Sequence, residues 1–348
     1  MLRIRLCIKD LLEGEDMNHI SWNTTKKCNL YCKHCYRESG PEKMDDELST
    51  EEGKKLLDQI VKAGMKVIVL SGGEPMIRDD IFELISYAKS IGMTVLMGSN
   101  GTLIDKEKAE KLKNSGLSAI AISIDSLDPK KHNLFRGSDD AFQKAIEGAN
   151  NCVNAGIRVQ LNCTITKQNL DEIERIADFA SELGAASSHM LFLVDTGRGK
   201  NIKDLSLDIK EYKKAINRII DKDIELNIQV KPTCAPQYKV ESLLRGIEPI
   251  KNTTRGCIAG ISYCSILPNG DVHICPYAPV KVASIREETF DYIWENNEVF
   301  NQLRDYKNYK GQCGHCRYIY ICGGCRARAF SNTGDWLEED PYCLLKEA

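Results

Sequence analysis

Three cysteines in one short loop set the chemistry open to this chain: Cys28-Asn-Leu-Tyr-Cys32-Lys-His-Cys35. The CxxxCxxC spacing presents three thiolates to one cuboidal iron–sulfur cluster and leaves the fourth iron without a protein ligand. An open iron can bind a substrate or cofactor, as an open zinc site does. Two plainer readings compete. A structural zinc site is usually built from two CxxC pairs, and this loop lacks the fourth ligand. A redox dithiol at Cys32 and Cys35 has no need of Cys28. A second group lies downstream: Cys257, Cys264, Cys275, Cys313, Cys316, Cys322, Cys325 and Cys343. Eight thiolates suit two four-cysteine clusters or, equally, two structural zinc sites. Cys234 is left without a cluster and reads as a packed thiol, with contact to substrate or iron as the alternative.

Composition supports metal ligation over other uses of cysteine. There are fifteen cysteines in 348 residues. Cys7, Cys152 and Cys163 sit in apolar or helical contexts and suit free core thiols. The opening residues carry neither a long apolar core nor a small-residue cleavage site, so a secretory signal is not expected. The expectation is a cytoplasmic protein, whose thiols stay reduced and form no disulfide framework. A net charge of −3 exerts no general pull toward nucleic acid or acidic membrane. No apolar run approaches the roughly 18–20 residues that span a bilayer.

The elements that must position these residues alternate regularly. Strand-like runs cover Ile20–Thr24, Val67–Leu70, Thr94–Met97, Ala119–Ile124, Arg158–Thr164 and Met190–Val194. Amphipathic helical patterns cover 50–63, 80–91, 106–115, 140–155 and 169–183, and another lies near 208–221. Ser49 and Glu52 form a helix-start signature. Six βα units imply an α/β fold: a parallel sheet wrapped by helices through right-handed crossovers. Six are too few for a closed eight-stranded barrel. A partial (β/α)6 barrel is expected, with its chemistry at the C-terminal ends of the strands. The expected divisions are an N-terminal segment (1–17), the barrel (18–221), a bridging segment (222–256) and a small cysteine-rich domain held by metal (257–348).

Motifs recur at those strand ends. Ser71-Gly72-Gly73-Glu74-Pro75 follows the second strand, and Ser99-Asn100-Gly101-Thr102 the third. Ser123-Ile124-Asp125-Ser126 ends the fourth. Gly72 and Gly73 permit close backbone approach to a ligand. Glu74 can pair with an ammonium group or simply be solvated. Asp125 can bind ribose hydroxyls or cap the next helix. Taken with CxxxCxxC, these strings resemble the radical S-adenosylmethionine (SAM) superfamily over about residues 18–200. One departure is His34, where the family often has an aromatic residue. The resemblance implies a [4Fe–4S] cluster on Cys28, Cys32 and Cys35. SAM would be chelated to its open iron and contacted by Gly72, Gly73, Glu74, Pro75, Ser99, Asn100, Ser123 and Asp125. Reductive cleavage of SAM by such a cluster gives a 5′-deoxyadenosyl radical that abstracts hydrogen from an unactivated carbon. A small electron donor such as ferredoxin or flavodoxin would supply the electron.

The second cysteine region is similar to the SPASM extension of that superfamily. Gly270 and Cys275 match its glycine element, and Cys313, Cys316 and Cys322 match CxxCx5C. Cys322-Gly-Gly-Cys325 departs from it by one residue fewer between the cysteines, which weakens the case for Cys325. The resemblance implies one auxiliary [4Fe–4S] cluster on Cys257, Cys264, Cys275 and Cys325, and another on Cys313, Cys316, Cys322 and Cys343. Further strings resemble the tetrapyrrole-biosynthesis branch that contains haem synthases and haem d1 enzymes. They are Ser21-Trp22-Asn23-Thr24-Thr25, Tyr36-Arg37, Lys231–Tyr238, Arg255–Cys264 and Cys322–Ala329. That implies oxidative decarboxylation of iron-coproporphyrin III propionates to vinyls, with auxiliary clusters able to accept the departing electron. Neighbouring expectations are deacetylation of didecarboxysirohaem and a haem d1 step. Outside the branch stands a maturase of ribosomal peptides, and outside enzymes an iron–sulfur electron carrier. A tetracarboxylate substrate calls for cations, and Arg198, Lys200, Lys231 and Arg255 are the candidates.

Overall fold

A computed structural model describes residues 18–247 and 255–347. The N-terminal segment with Cys7, and residues 248–254 of the bridging segment, lie outside the described residues. The strands are β1 (His19–Asn23), β2 (Val67–Ser71), β3 (Thr94–Ser99), β4 (Ala119–Ser123), β5 (Arg158–Ile165), β6 (Ser187–Phe192), β7 (Gln229–Thr233), β8 (Tyr263–Ile266), β9 (Asp271–Cys275) and β10 (Ala278–Ser284). The helices between β1 and β7 are α1 (Thr50–Lys62), α2 (Ile81–Ser90), α3 (Lys106–Asn114), α4 (Pro129–Arg136), α5 (Ala141–Asn154), α6 (Ile173–Glu182) and α7 (Ile209–Glu225).

The strands form a single sheet in the order β10-β9-β8-β1-β2-β3-β4-β5-β6-β7. Pairings from β1 through β7 are all parallel. Near-continuous apolar strands such as VIVLS and AIAIS are what a parallel sheet covered by helices requires. The first five expected strands stand within one or two residues of their places. The sixth begins three residues earlier than expected, because Ser187-Ser188-His189 carries no apolar pattern. A seventh parallel strand, β7, lies inside the expected bridging segment. The cysteine-rich segment also joins the sheet. Its β8 runs parallel to β1, with Ile20 opposite Cys264, and its β9 and β10 follow antiparallel.

Local signals explain the element ends. Ser49 Oγ accepts from Glu52 N at 3.3 Å while Glu52 Oε2 accepts from Ser49 N at 2.8 Å, a reciprocal cap on α1. Helix α4 has no counterpart in the sequence reading. It starts on Pro129 behind an Asp128 cap and stops at Gly137, whose φ is 72°. Cys152 and Cys163 are buried core thiols, as expected.

Candidate active site and thiol centres

The site forms where the strands end. The loop after β1 is fixed before any ligand is considered. Thr24 N donates to Ser71 O at 2.7 Å, Gly73 N to Thr25 O at 2.7 Å, and Glu74 N to Lys27 O at 2.9 Å. The two glycines are needed for this backbone contact. A Cβ on Gly73 would lie 2.2 Å from Lys27 O, and one on Gly72 2.5 Å from Thr25 O.

Cys28, Cys32 and Cys35 line one cavity of about 1040 Å³ with Gly72, Gly73 and Ser99. Asn100, Ser123, Arg136 and Arg198 complete its polar wall, and Leu191, Phe192 and Val194 supply apolar surface. Backbone N–H groups already address the sulfurs: Leu30 N to Cys28 Sγ and Ser39 N to Cys35 Sγ, both at 3.4 Å. Asn100 Nδ2 reaches Cys28 Sγ at 3.8 Å, and Arg136 Nη1 reaches Cys32 Sγ at 3.9 Å. Such donors stabilise thiolate charge and tune cluster potentials. Burial pushes the Cys28 thiol up to about 12.

The two acids sit behind this wall. Glu74 is fully buried and accepts from Ser99 Oγ (2.8 Å), Asn100 N (2.8 Å) and Met76 N (3.1 Å). It therefore holds together the loops that follow β2 and β3, and Pro75 beside it opens a one-turn helix. Burial raises its carboxyl to about 7, against the three donors. Asp125 accepts from Arg136 Nε at 2.6 Å and from Thr164 N at 2.8 Å. Burial would raise its carboxyl, but Arg136, with His34 and His132, holds it at about 2. The charge facing the cavity at this point is thus the Arg136 guanidinium, which sequence reading missed along with α4.

Of the four candidate cations, Arg198 alone lines this cavity. Its Nε donates to Cys32 O at 2.8 Å, its backbone N donates to Cys35 O at 3.0 Å, and its guanidinium stacks 3.9 Å over Tyr31. Its Nη2 is buried with no hydrogen-bond partner. Lys200 is exposed. Lys231 lies on β7 in register with His189. Arg255 stacks 3.7 Å over Tyr306 beside the second cysteine group.

That group divides. Cys313, Cys316, Cys322 and Cys343 line one cavity of about 660 Å³ together with Asp340. Tyr318 N donates to Cys316 Sγ and Gly324 N to Cys322 Sγ, each at 3.4 Å. Asp340 Oδ2 accepts from Cys325 N at 2.7 Å, so one buried carboxylate touches both cysteine groups. Burial would raise that carboxyl, but Arg328 beside it keeps it below its ordinary range. Cys257, Cys275 and Cys325 are mutual electrostatic neighbours. Cys264 is not among them. It lies on β8, wholly buried, with Arg304 as its charged neighbour. Among the described residues, no three His, Cys, Asp or Glu side chains could hold a single metal ion. Cys28, Cys32 and Cys35 stand around one cavity and Cys313, Cys316, Cys322 and Cys343 around the other.

An open sheet with three thiols at the mouth of β1, and a thiol-rich extension that joins it beside β1 through β8, is the arrangement of a radical SAM enzyme. Two family models match: the radical SAM superfamily over residues 22–180 and an iron–sulfur cluster-binding domain over 257–317. The chain belongs to the radical SAM superfamily, whose cofactors are SAM and [4Fe–4S] clusters. It is 40% identical to an AdoMet-dependent heme synthase of Methanosarcina barkeri, over 94% of this chain and 96% of that protein. It is 33% identical to an Fe-coproporphyrin III synthase of the same organism, over 94% and 87%. The crystal structure of Streptococcus suis SuiB bound to S-adenosylmethionine shares the fold. Its TM-score is 0.75 at 19% identity, covering 94% of this chain and 77% of that one. Among the described residues, no helix is long and apolar enough to cross a membrane.

Proposed function

We propose that this chain is a decarboxylating haem synthase that converts two propionates of iron-coproporphyrin III to vinyl groups, giving haem b. The observation that carries the reading is the end-to-end 40% identity to the Methanosarcina barkeri heme synthase. Each round removes one hydrogen from a propionate β-carbon and its carboxylate as CO2, leaving one electron for an acceptor. When bound, SAM and the [4Fe–4S] centres supply the one-electron chemistry for these steps.

The chain's own residues hold and orient. Cys28, Cys32 and Cys35 take the catalytic cluster. Gly72, Gly73, Ser99, Asn100 and Ser123 form the SAM-side wall, while Glu74, Pro75 and Asp125 fix it from behind. Arg198 offers its unpaired Nη2 to a carboxylate, an arrangement suited to a guanidinium. Leu191, Phe192 and Val194 limit water at the reacting carbon. Lys200, Lys231 and Arg255 are left to steering or to support of the second region. Cys313, Cys316, Cys322 and Cys343 take one auxiliary cluster, and Cys257, Cys275 and Cys325 contribute to another. The working divisions remain 18–221, 222–256 and 257–348. A reduced cytoplasm and a ferredoxin- or flavodoxin-like donor complete the reading.

The Fe-coproporphyrin III synthase relative favours one second reading, acetate removal from didecarboxysirohaem. Anaerobically reconstituted enzyme, given SAM, a reductant and either tetrapyrrole, separates the two by mass. Loss of two formic-acid equivalents from iron-coproporphyrin III is expected. Consumption of didecarboxysirohaem alone overturns the haem synthase reading.

A further inference from the structure

The geometry points to Cys234, in place of Cys264, as the fourth thiolate of the auxiliary centre that Cys257, Cys275 and Cys325 would hold. The inference rests on the reading that this region binds [4Fe–4S] clusters. Strand parity removes Cys264. In the antiparallel β8–β9 pair, Ile266 is opposite Val272 and Ser265 is opposite His273. Paired residues share a face, and faces alternate along a strand. Cys264 therefore shares the face of Ile266, Val272 and Ile274. Cys275 shares the opposite face with His273 and Ser265. Sulfurs on opposite sides of one sheet cannot converge on one cluster.

Cys234 arrives from another direction. It directly follows β7, and its backbone φ is 57°, a left-handed conformation for a residue that is not glycine. Such a conformation costs about 1–3 kcal/mol and persists where the surroundings impose it. Glycine or asparagine would take the position more easily, so a cysteine there calls for a chemical reason. The surroundings are groups that also hold Cys325 and Cys257. The Cys234 carbonyl accepts from Arg328 Nη2. Arg328 Nη1 contacts Asp340, which accepts from Cys325 N. Two residues on, Pro236 packs on Gly256, where an added Cβ would lie 2.7 Å from Pro236 Cβ and 2.7 Å from Cys322 O. The next residue, Cys257, donates its N–H to that same Cys322 O at 2.9 Å. Electrostatic contact agrees: Cys234 feels Cys325, Cys275 and Cys257, and Cys264 feels none of them.

The test uses the full chain with Cys28, Cys32 and Cys35 replaced by Ala, so that only auxiliary iron remains. After anaerobic reconstitution with ferrous iron and sulfide, iron and acid-labile sulfide are counted and EPR spectra recorded on reduced and oxidised samples. C264A in this background is expected to keep the parent's iron and spectrum. C234A is expected to lose about half the iron, one cluster of two, or to give a three-iron signal on oxidation. C234S should recover part of the loss, and far-UV dichroism should show the fold kept in each variant. If C264A loses as much iron as C234A, or C234A matches the parent, Cys234 is not the ligand, and the auxiliary reading stands. A parent that takes up no iron and sulfide removes that reading, and the assignment with it.

Discussion

Arg136 Nε donates to Asp125 Oδ2 at 2.6 Å behind the cavity wall, and Nη1 of the same guanidinium reaches Cys32 Sγ at 3.9 Å. Both side chains are buried. Asp125→Asn leaves Arg136 without its counter-charge and is expected to cost about 3–5 kcal/mol in denaturant unfolding. The double variant with Arg136→Met should recover part of that loss. The pH dependence has a definite sign. The folded carboxyl sits at about 2 against an ordinary 3.8, so the pair's contribution is complete above 3.8 and fades as pH falls toward 2. The stability gap between wild type and Asp125→Asn should narrow over that acid range. A gap independent of pH there contradicts the pairing.

Gly73→Ala tests the seam between the Gly-Gly turn and the cysteine loop. Its Cβ would stand 2.2 Å from Lys27 O, so the backbone must part. A loss of about 1–3 kcal/mol in stability is expected, together with weakened SAM binding by equilibrium dialysis. Unchanged SAM affinity would show that the turn does not position the SAM wall.

Arg198→Lys keeps the charge but loses the fork that joins Cys32 O to the cavity. With a carboxylate as its partner, KM for that ligand should rise about ten- to a hundred-fold, the scale of a charged hydrogen bond. The kcat should change less. A fall in kcat at unchanged KM would place Arg198 in support of the cysteine loop alone.

The legibility of this molecule in its sequence follows the range of its interactions. Cys28, Cys32 and Cys35 share one eight-residue loop, so spacing alone groups them. The α1 cap at Ser49 and Glu52 is equally local and stands as expected. Glu74 was visible as an acid at a strand end. Its partners, Ser99 and Asn100, lie 25 and 26 residues away, so its inward role was not. Arg136 was missed because the pattern of α4, PKKHNLFR, is mostly polar and its target, Asp125, lies across a turn. Spacing groups Cys264 with the cysteines around it, while in the fold it is wholly buried beside Arg304. Only the β8–β9 register shows which face it takes. The place of Cys234 depends on β7, which pairs with β6 outside the six expected strands.

The proposed chemistry begins at the cluster held by Cys28, Cys32 and Cys35. Anaerobically reduced protein should show a [4Fe–4S] EPR signal that changes when SAM is added, and SAM should be cleaved to methionine and 5′-deoxyadenosine. Both responses should vanish when any one of the three cysteines becomes Ala. A cluster signal indifferent to SAM, or protein that holds only zinc after anaerobic preparation, would contradict the account.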